Sequence, residues 1–132
     1  MITLNKTISS KQKQGQNTLS VGSNRISGTM LVFKFRDKDT RQIIHYTPCL
    51  ELTGYGSDET KSFEMLKFSI NDFFDHLMSL SSKKREKELN ELGWKKSSLK
   101  NKEFSKLFID INGELKSFNA VADEVELLTL QA

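Results

Sequence analysis

The sequence predicts an α+β fold: a small antiparallel sheet carrying one strongly amphipathic helix, then a basic helical extension and a terminal strand. Three observations predict it. Residues 29–35 (TMLVFKF) and 42–52 read as strands, residues 63–77 place apolar side chains at three- and four-residue spacing, and residues 125–130 alternate like a strand again. A chain of 132 residues has room for one domain, or one small domain with tails.

Residues 5–28 are rich in Ser, Asn, Gln, Lys and Gly and hold few large apolar groups, so residues 1–28 are expected to form a flexible polar arm. The alternation in Thr18, Leu19, Ser20 and Val21 leaves open a short edge strand there. In the run at 29–35, Leu31, Phe33 and Phe35 share one face, and Met30 and Val32 the other. The wholly polar stretch at 36–41 suits a turn. A second strand over 42–52 sets Ile44, Tyr46, Pro48, Leu50 and Leu52 at alternate positions, and Pro48, lacking an amide hydrogen, requires an edge, bend or bulge at that end.

The punctuation at 53–59 (TGYGSDE) ends the strands, and Ser57 or Asp58 supplies the oxygen that caps a helix. Phe63, Leu66, Ile70, Phe73, Phe74 and Leu77 form its apolar stripe, which closes an expected core at 29–80. Ser81 or Ser82 caps a second, highly charged helix over 83–92, with Leu89 and Leu92 as its contacts. Gly93 stands where a left-handed residue stops a helix, and Trp94 beyond it packs back on Leu89. Within 101–118, Phe104, Leu107, Phe108 and Ile111 favour a helix over a hairpin turning at Asn112 and Gly113. Residues 81–132 thus read as a basic helical extension followed by a terminal strand.

The formal charge of +3 conceals opposed blocks. Residues 1–28 carry four basic groups and no acidic ones, 29–82 six against eight, 83–106 nine against four, and 107–132 one against five. The single cysteine, Cys49, rules out an intrachain disulfide and a multi-cysteine zinc site, and fits a reducing cytoplasm. No stretch approaches the length of about 18 apolar residues that a membrane span needs, so the expectation is a soluble cytoplasmic protein.

Groups that do chemistry are few. His45 and Cys49 lie four residues apart on one strand, about 13 Å, too far to share a proton. Asp72 and His76 stand at helical spacing, which reads first as a solvated pair. No metal-ligand spacing is present, and Gly54, Tyr55 and Gly56 lack the rest of a phosphate loop. No catalytic residue, cofactor or metal is expected. Lys83, Lys84, Arg85, Lys87, Lys95 and Lys96 form the candidate contact for nucleic acid or an acidic partner, with Trp94 and Phe104 interleaved for base stacking. The alternation of Val125, Leu127 and Thr129 suggests a terminal strand that adds to the sheet edge of a second copy.

From residue 30 to 78 the chain resembles the HicB-like antitoxin domain. The resemblance lies in the strand MLVFKF, the Pro48-Cys49-Leu50 segment, the glycines Gly54 and Gly56, and the helix opening at 57–66, with Asp58 at the cap and Ser62 where relatives place a small residue. The LGWK at 92–95 is similar to extensions of longer relatives. The resemblance implies a β-β-β-α-β order, no catalysis, and binding to a small HicA-like toxin, often with self-association and repression of the operon. Cys49 departs from the acidic residue that often follows the proline. No helix-turn-helix or ribbon-helix-helix segment follows the core.

Overall fold

The structure, a computed structural model, describes residues 2–6, 17–96, 103–106, 120 and 125–132. Its strands are β1 (Thr3–Lys6), β2 (Asn17–Val21), β3 (Ile26–Arg36), β4 (Ile43–Thr47), β5 (Leu52–Gly56), β6 (Lys95–Lys96), β7 (Glu103–Lys106) and β8 (Glu126–Gln131). Two helices, α1 (Glu59–Ser79) and α2 (Ser82–Glu91), lie between β5 and β6. All strands join one antiparallel sheet, so the fold is α+β.

The sheet is built around β3, whose eleven residues are long enough to meet three neighbours. One edge pairs with β8 from Thr29 to Lys34. The other pairs with β2 at Ile26–Thr29 and with β4 at Phe33–Arg36. Outward from β2 come β7 and β6, outward from β8 comes β1, and outward from β4 comes β5. Strands β3, β4 and β5, helix α1 and then β8 against β3 follow the β-β-β-α-β order that the resemblance implies.

Over its described residues the expected polar arm is corrected, and the strand left open at 18–21 is present, although not at an edge. Asn17, Leu19 and Val21 are buried and alternate with exposed Thr18 and Ser20, and β2 is paired on both edges. A strand needs an apolar group only at every second residue, so a mostly polar composition conceals one. The core likewise exceeds residues 29–80: Leu19, Val21, Ile26, Leu89, Trp94, Leu128 and Leu130 are buried with Met30, Val32, Leu66, Ile70 and Leu77. Each large side chain buried this way contributes roughly 1.5–3 kcal/mol before ordering entropy. The opposite face of the sheet buries Leu31, Phe33 and Phe35 against Ile44, Tyr46, Ala120, Val125 and Leu127.

The single strand expected over 42–52 is two. β4 ends at Thr47, and a turn closed by the Glu51 amide donating to the Pro48 carbonyl at 3.1 Å leads into β5. Expected punctuation therefore becomes strand. Gly54 and Gly56 sit under α1, and a Cβ on Gly54 would stand 2.3 Å from the Ser62 carbonyl oxygen. Their lack of a side chain lets helix and sheet approach.

Helix α1 begins where expected, with Asp58 Oδ1 accepting from the Lys61 amide at 2.8 Å. It buries Ser62, Leu66, Ile70, Phe74 and Leu77, while Phe63 and Phe73 pack half-buried beside them. Ser81 caps α2, whose Leu89 is buried. At its end Gly93 has φ 97°, the Trp94 amide donates to the Leu89 carbonyl at 3.0 Å, and the Gly93 amide to that of Asn90 at 3.0 Å. This is the Schellman stop. The Trp94 indole then donates to the Cys49 carbonyl at 3.0 Å, tying the extension to the core. The helix favoured within 101–118 is replaced at its start by strand β7, which completes the pairing of β2. The rest of that segment lies outside the described residues.

Candidate functional site

Where α1 meets β4 and β5, three polar groups are buried together. His45 Nδ1 lies 2.7 Å from Ser62 Oγ, and Ser62 Oγ lies 3.2 Å from the Gly54 carbonyl oxygen. The serine has one proton for two acceptors, the Gly54 carbonyl and His45 Nδ1, the histidine tautomer decides between them, and both contacts tie α1 to β4 and β5. Burial first, and the charge of Lys34 second, push His45 down to about 4, so the ring is neutral at pH 7. Lys34, in register with His45, reaches Glu59 Oε1 at 2.6 Å and Glu126 Oε1 at 3.3 Å. Burial opposes the Lys34 charge, but the two carboxylates outweigh it and raise its pKa, while its hydrogen bond holds Glu59 low.

The other candidates for chemistry do not converge. Cys49 Sγ lies 3.5 Å from Thr47 Oγ1, and His45 is committed to Ser62. His76 Nε2 lies 2.9 Å from Glu88 Oε2 on α2, so the expected partner Asp72 is replaced by a residue of the neighbouring helix. Among the described residues no three His, Cys, Asp or Glu side chains gather as a metal site.

The basic segment divides. Lys83, Lys84 and Lys87 are exposed on α2, Lys95 is exposed on β6, and Lys96 belongs to the same strand. Arg85 turns inward, donating from Nε to the Leu77 carbonyl at 2.9 Å and from Nη2 to that of Leu80 at 3.1 Å. Its fork bonds two carbonyls at the end of α1, sharing that of Leu77 with the Leu80 amide, which removes it from the expected contact set. Trp94 is 1% exposed, so it offers no stacking surface.

The expected intermolecular strand is also corrected. β8 pairs with β3 on one edge and β1 on the other, leaving neither for a second copy. Val125 and Leu127 instead pack on the Phe33 side of the sheet, and Thr129 sits opposite both Leu31 and Asn5. The apolar alternation was a real signal of pairing, but the partner is within the chain.

The open edge belongs to β5. It pairs only with β4 among the described residues, and it carries no charge, proline or bulge. Tyr55 on this strand is 50% exposed and Phe68 on the adjoining helix 72%, and these are the exposed large hydrophobics of the described residues. Sequence reasoning missed both, because Phe68 falls outside the apolar stripe and the glycines disguised the strand. The Tyr55 amide donates to Met65 Sδ at 3.4 Å, so the α1 side carrying Met65 borders the edge.

No helix among the described residues is long and apolar enough to cross a membrane. Compared with known protein families, curated proteins and solved structures, the chain has no match.

Proposed function

We propose that this chain is a non-catalytic, cytoplasmic HicB-like protein that works by protein–protein contact, with a small HicA-like toxin as partner and self-association alongside. One observation carries the reading: an uncharged edge of β5 that meets no further strand among the described residues, with Tyr55 on that strand and Phe68 on α1 both exposed. Such an edge presents main-chain donors and acceptors, and the aromatic groups add the apolar anchors that protein interfaces favour. The buried histidine and serine are occupied in holding α1 to the sheet, which supports a binding role over catalysis.

The test is copurification of the full chain with the product of an adjacent small basic reading frame, together with rescue of growth when both are expressed. A stable complex and rescue are expected. Failure of both overturns the toxin reading, and a robust hydrolytic activity lost on His45→Ala overturns the non-catalytic one.

A second reading is favoured by the exposed lysines Lys83, Lys84, Lys87 and Lys95, which have no ion-pair partner among the described residues. On this reading they contact nucleic-acid phosphates. Binding of labelled duplexes and single strands that weakens steeply as salt rises, and is lost on Lys83→Gln/Lys84→Gln/Lys87→Gln, supports it. Binding that persists in that variant overturns it.

A further inference from the structure

We propose that the outward face of α1 pairs with the same face of a second copy of this chain, the two helices antiparallel and Phe68 of each at the two-fold axis. The inference rests on reading the chain as a contact module. It gives the self-association of that reading a surface of its own and leaves the β5 edge to the other partner.

Phe68 stands where a second molecule reaches it. The residues that α1 buries, Ser62, Leu66, Ile70, Phe74 and Leu77, hold the helix to the sheet. At 3.6 residues per turn, Leu66 and Ile70 lie about 160° from Phe68 on either side, so the ring points directly away from the sheet. It is 72% exposed, near the middle of a helix of 21 residues. Lys61, Glu64, Asn71, Asp72 and Asp75 share this face and are exposed, with half-buried Met65 at its border. A partner approaching from this side meets helix alone. Two such helices come to rest with axes about 8–10 Å apart and both sheets on the outside.

Charge selects a second copy and fixes its direction. Lys61 and Asp75 stand at equal distances along the chain on either side of Phe68, both within about 20° of it around the axis, and Asp72 lies one turn beyond Phe68 at about 40°. Lys61 Nζ donates to the Ser57 hydroxyl at 3.2 Å, and neither Lys61 nor Asp72 nor Asp75 has an ion-pair partner among the described residues. The other acid of the face, Glu64, is already met by Lys67 at 3.0 Å. In an antiparallel pair centred on Phe68, Lys61 comes level with the partner's Asp75 and beside the partner's Asp72, while Glu64 falls beside the partner's Asn71. The two-fold axis repeats each contact at the other end, as a self-complementary interface requires. A parallel pair would instead set Lys61 against Lys61 and acid against acid. At the axis the two Phe68 rings meet as an aromatic pair, an apolar centre with a charged rim.

Sedimentation equilibrium of the full chain across about 10–500 µM tests the proposal, a range suited to an interface at the small end of specific ones. The mass is expected to rise from 15.1 kDa toward twice that value. Phe68→Ala, at an exposed site, is expected to keep the circular dichroism spectrum and raise the dissociation constant at least about tenfold. Lys61→Glu weakens association, as does Asp72→Lys/Asp75→Lys, and all three exchanges in one chain restore it. Acid toward the start of α1 and base toward its end suit the helix dipole, so these variants keep the fold. A wild-type chain that stays monomeric throughout, or a dimer indifferent to Phe68→Ala, overturns the surface, and a triple exchange without recovery overturns the antiparallel register. A monomer that captures the HicA-like toxin through Phe68 assigns this face to the toxin, which overturns self-pairing and leaves the proposed function standing. A Phe68-dependent dimer that captures no toxin does the reverse.

Discussion

Asn17 Oδ1 accepts a hydrogen bond from the Leu31 amide at 2.9 Å, across the seam where β3 changes partner from β2 to β4. The Leu31 carbonyl is met at the same seam by Thr47 Oγ1 at 3.0 Å. Two side chains thus stand in for the missing strand residue, and both main-chain groups of buried Leu31 are satisfied. Asn17 Nδ2 is itself buried without a partner among the described residues, so the side chain is held for its oxygen.

Asn17→Ala is expected to lower stability by about 1–3 kcal/mol, the cost of leaving a buried amide unmet. Thr47→Val removes the donor to the Leu31 carbonyl at constant shape and costs about 1 kcal/mol. Because both hold the backbone of one residue, Leu31, their combined loss differs from the sum. Urea unfolding of the two single variants and the double variant measures this, and additive losses would show that the seam does not act as a unit.

The buried histidine sets a pH dependence. His45 titrates near 4 in the folded protein and near 6.5 when unfolded, so between those values the unfolded chain binds the extra proton. Stability is complete above about pH 6.5 and falls as pH drops toward 4, by up to about 3 kcal/mol at 1.36 kcal/mol per pH unit. Lys34, Glu59 and Glu126 face the ring, and loss of the Glu59 charge acts in a separate, lower window, since its pKa lies below 4.5. His45→Gln is expected to flatten the unfolding free energy between pH 6.5 and 4, measured by denaturant titration at several pH values. An unchanged slope would place the proton elsewhere.

Gly54→Ala puts a methyl group 2.3 Å from the Ser62 carbonyl oxygen and 2.4 Å from the Leu66 amide nitrogen. Helix backbone cannot yield as a side-chain tip does, so a loss of at least about 1–3 kcal/mol is expected. Gly22→Ala, where the nearest atom is the Arg25 carbonyl oxygen at 3.3 Å, is the mild comparison. Thermal unfolding of both should separate them by several degrees; equal midpoints would mean that α1 does not rest on Gly54.

Gly93→Ala places a side chain at φ 97° and should cost about 1 kcal/mol, whereas Trp94→Ala removes a fully buried ring and should cost about 3–5 kcal/mol. If α2 is part of one cooperative core, tryptophan fluorescence and far-ultraviolet circular dichroism of wild type and Gly93→Ala unfold together. Earlier loss of the fluorescence signal would make α2 a separable unit.

Much of the local structure could be read along the chain. The stripe at Leu66, Ile70, Phe74 and Leu77, the Asp58 cap, and the Gly93–Trp94 stop all depend on side chains within a few residues of one another, where spacing carries the information. Two local readings failed for a local reason: glycine at 54 and 56 looks like punctuation, although here it is strand worn thin to admit a helix. The candidate sites were less legible. Arg85 and Trp94 have the composition of a contact surface, yet their donors are consumed by carbonyls at the end of α1 and in the turn after β4.

The sequence by itself determined the α+β class, the position and polarity of both helices, and the apolar faces of β3, because periodicity and capping are properties of neighbouring residues. Only the tertiary structure decided which strand meets which. Pairing energy comes from backbone groups common to every residue, so neither the capture of β2 and β8 inside the sheet nor the exposure of β5 is written in their own composition. Among the described residues, the β5 edge is what remains once the other pairings are made.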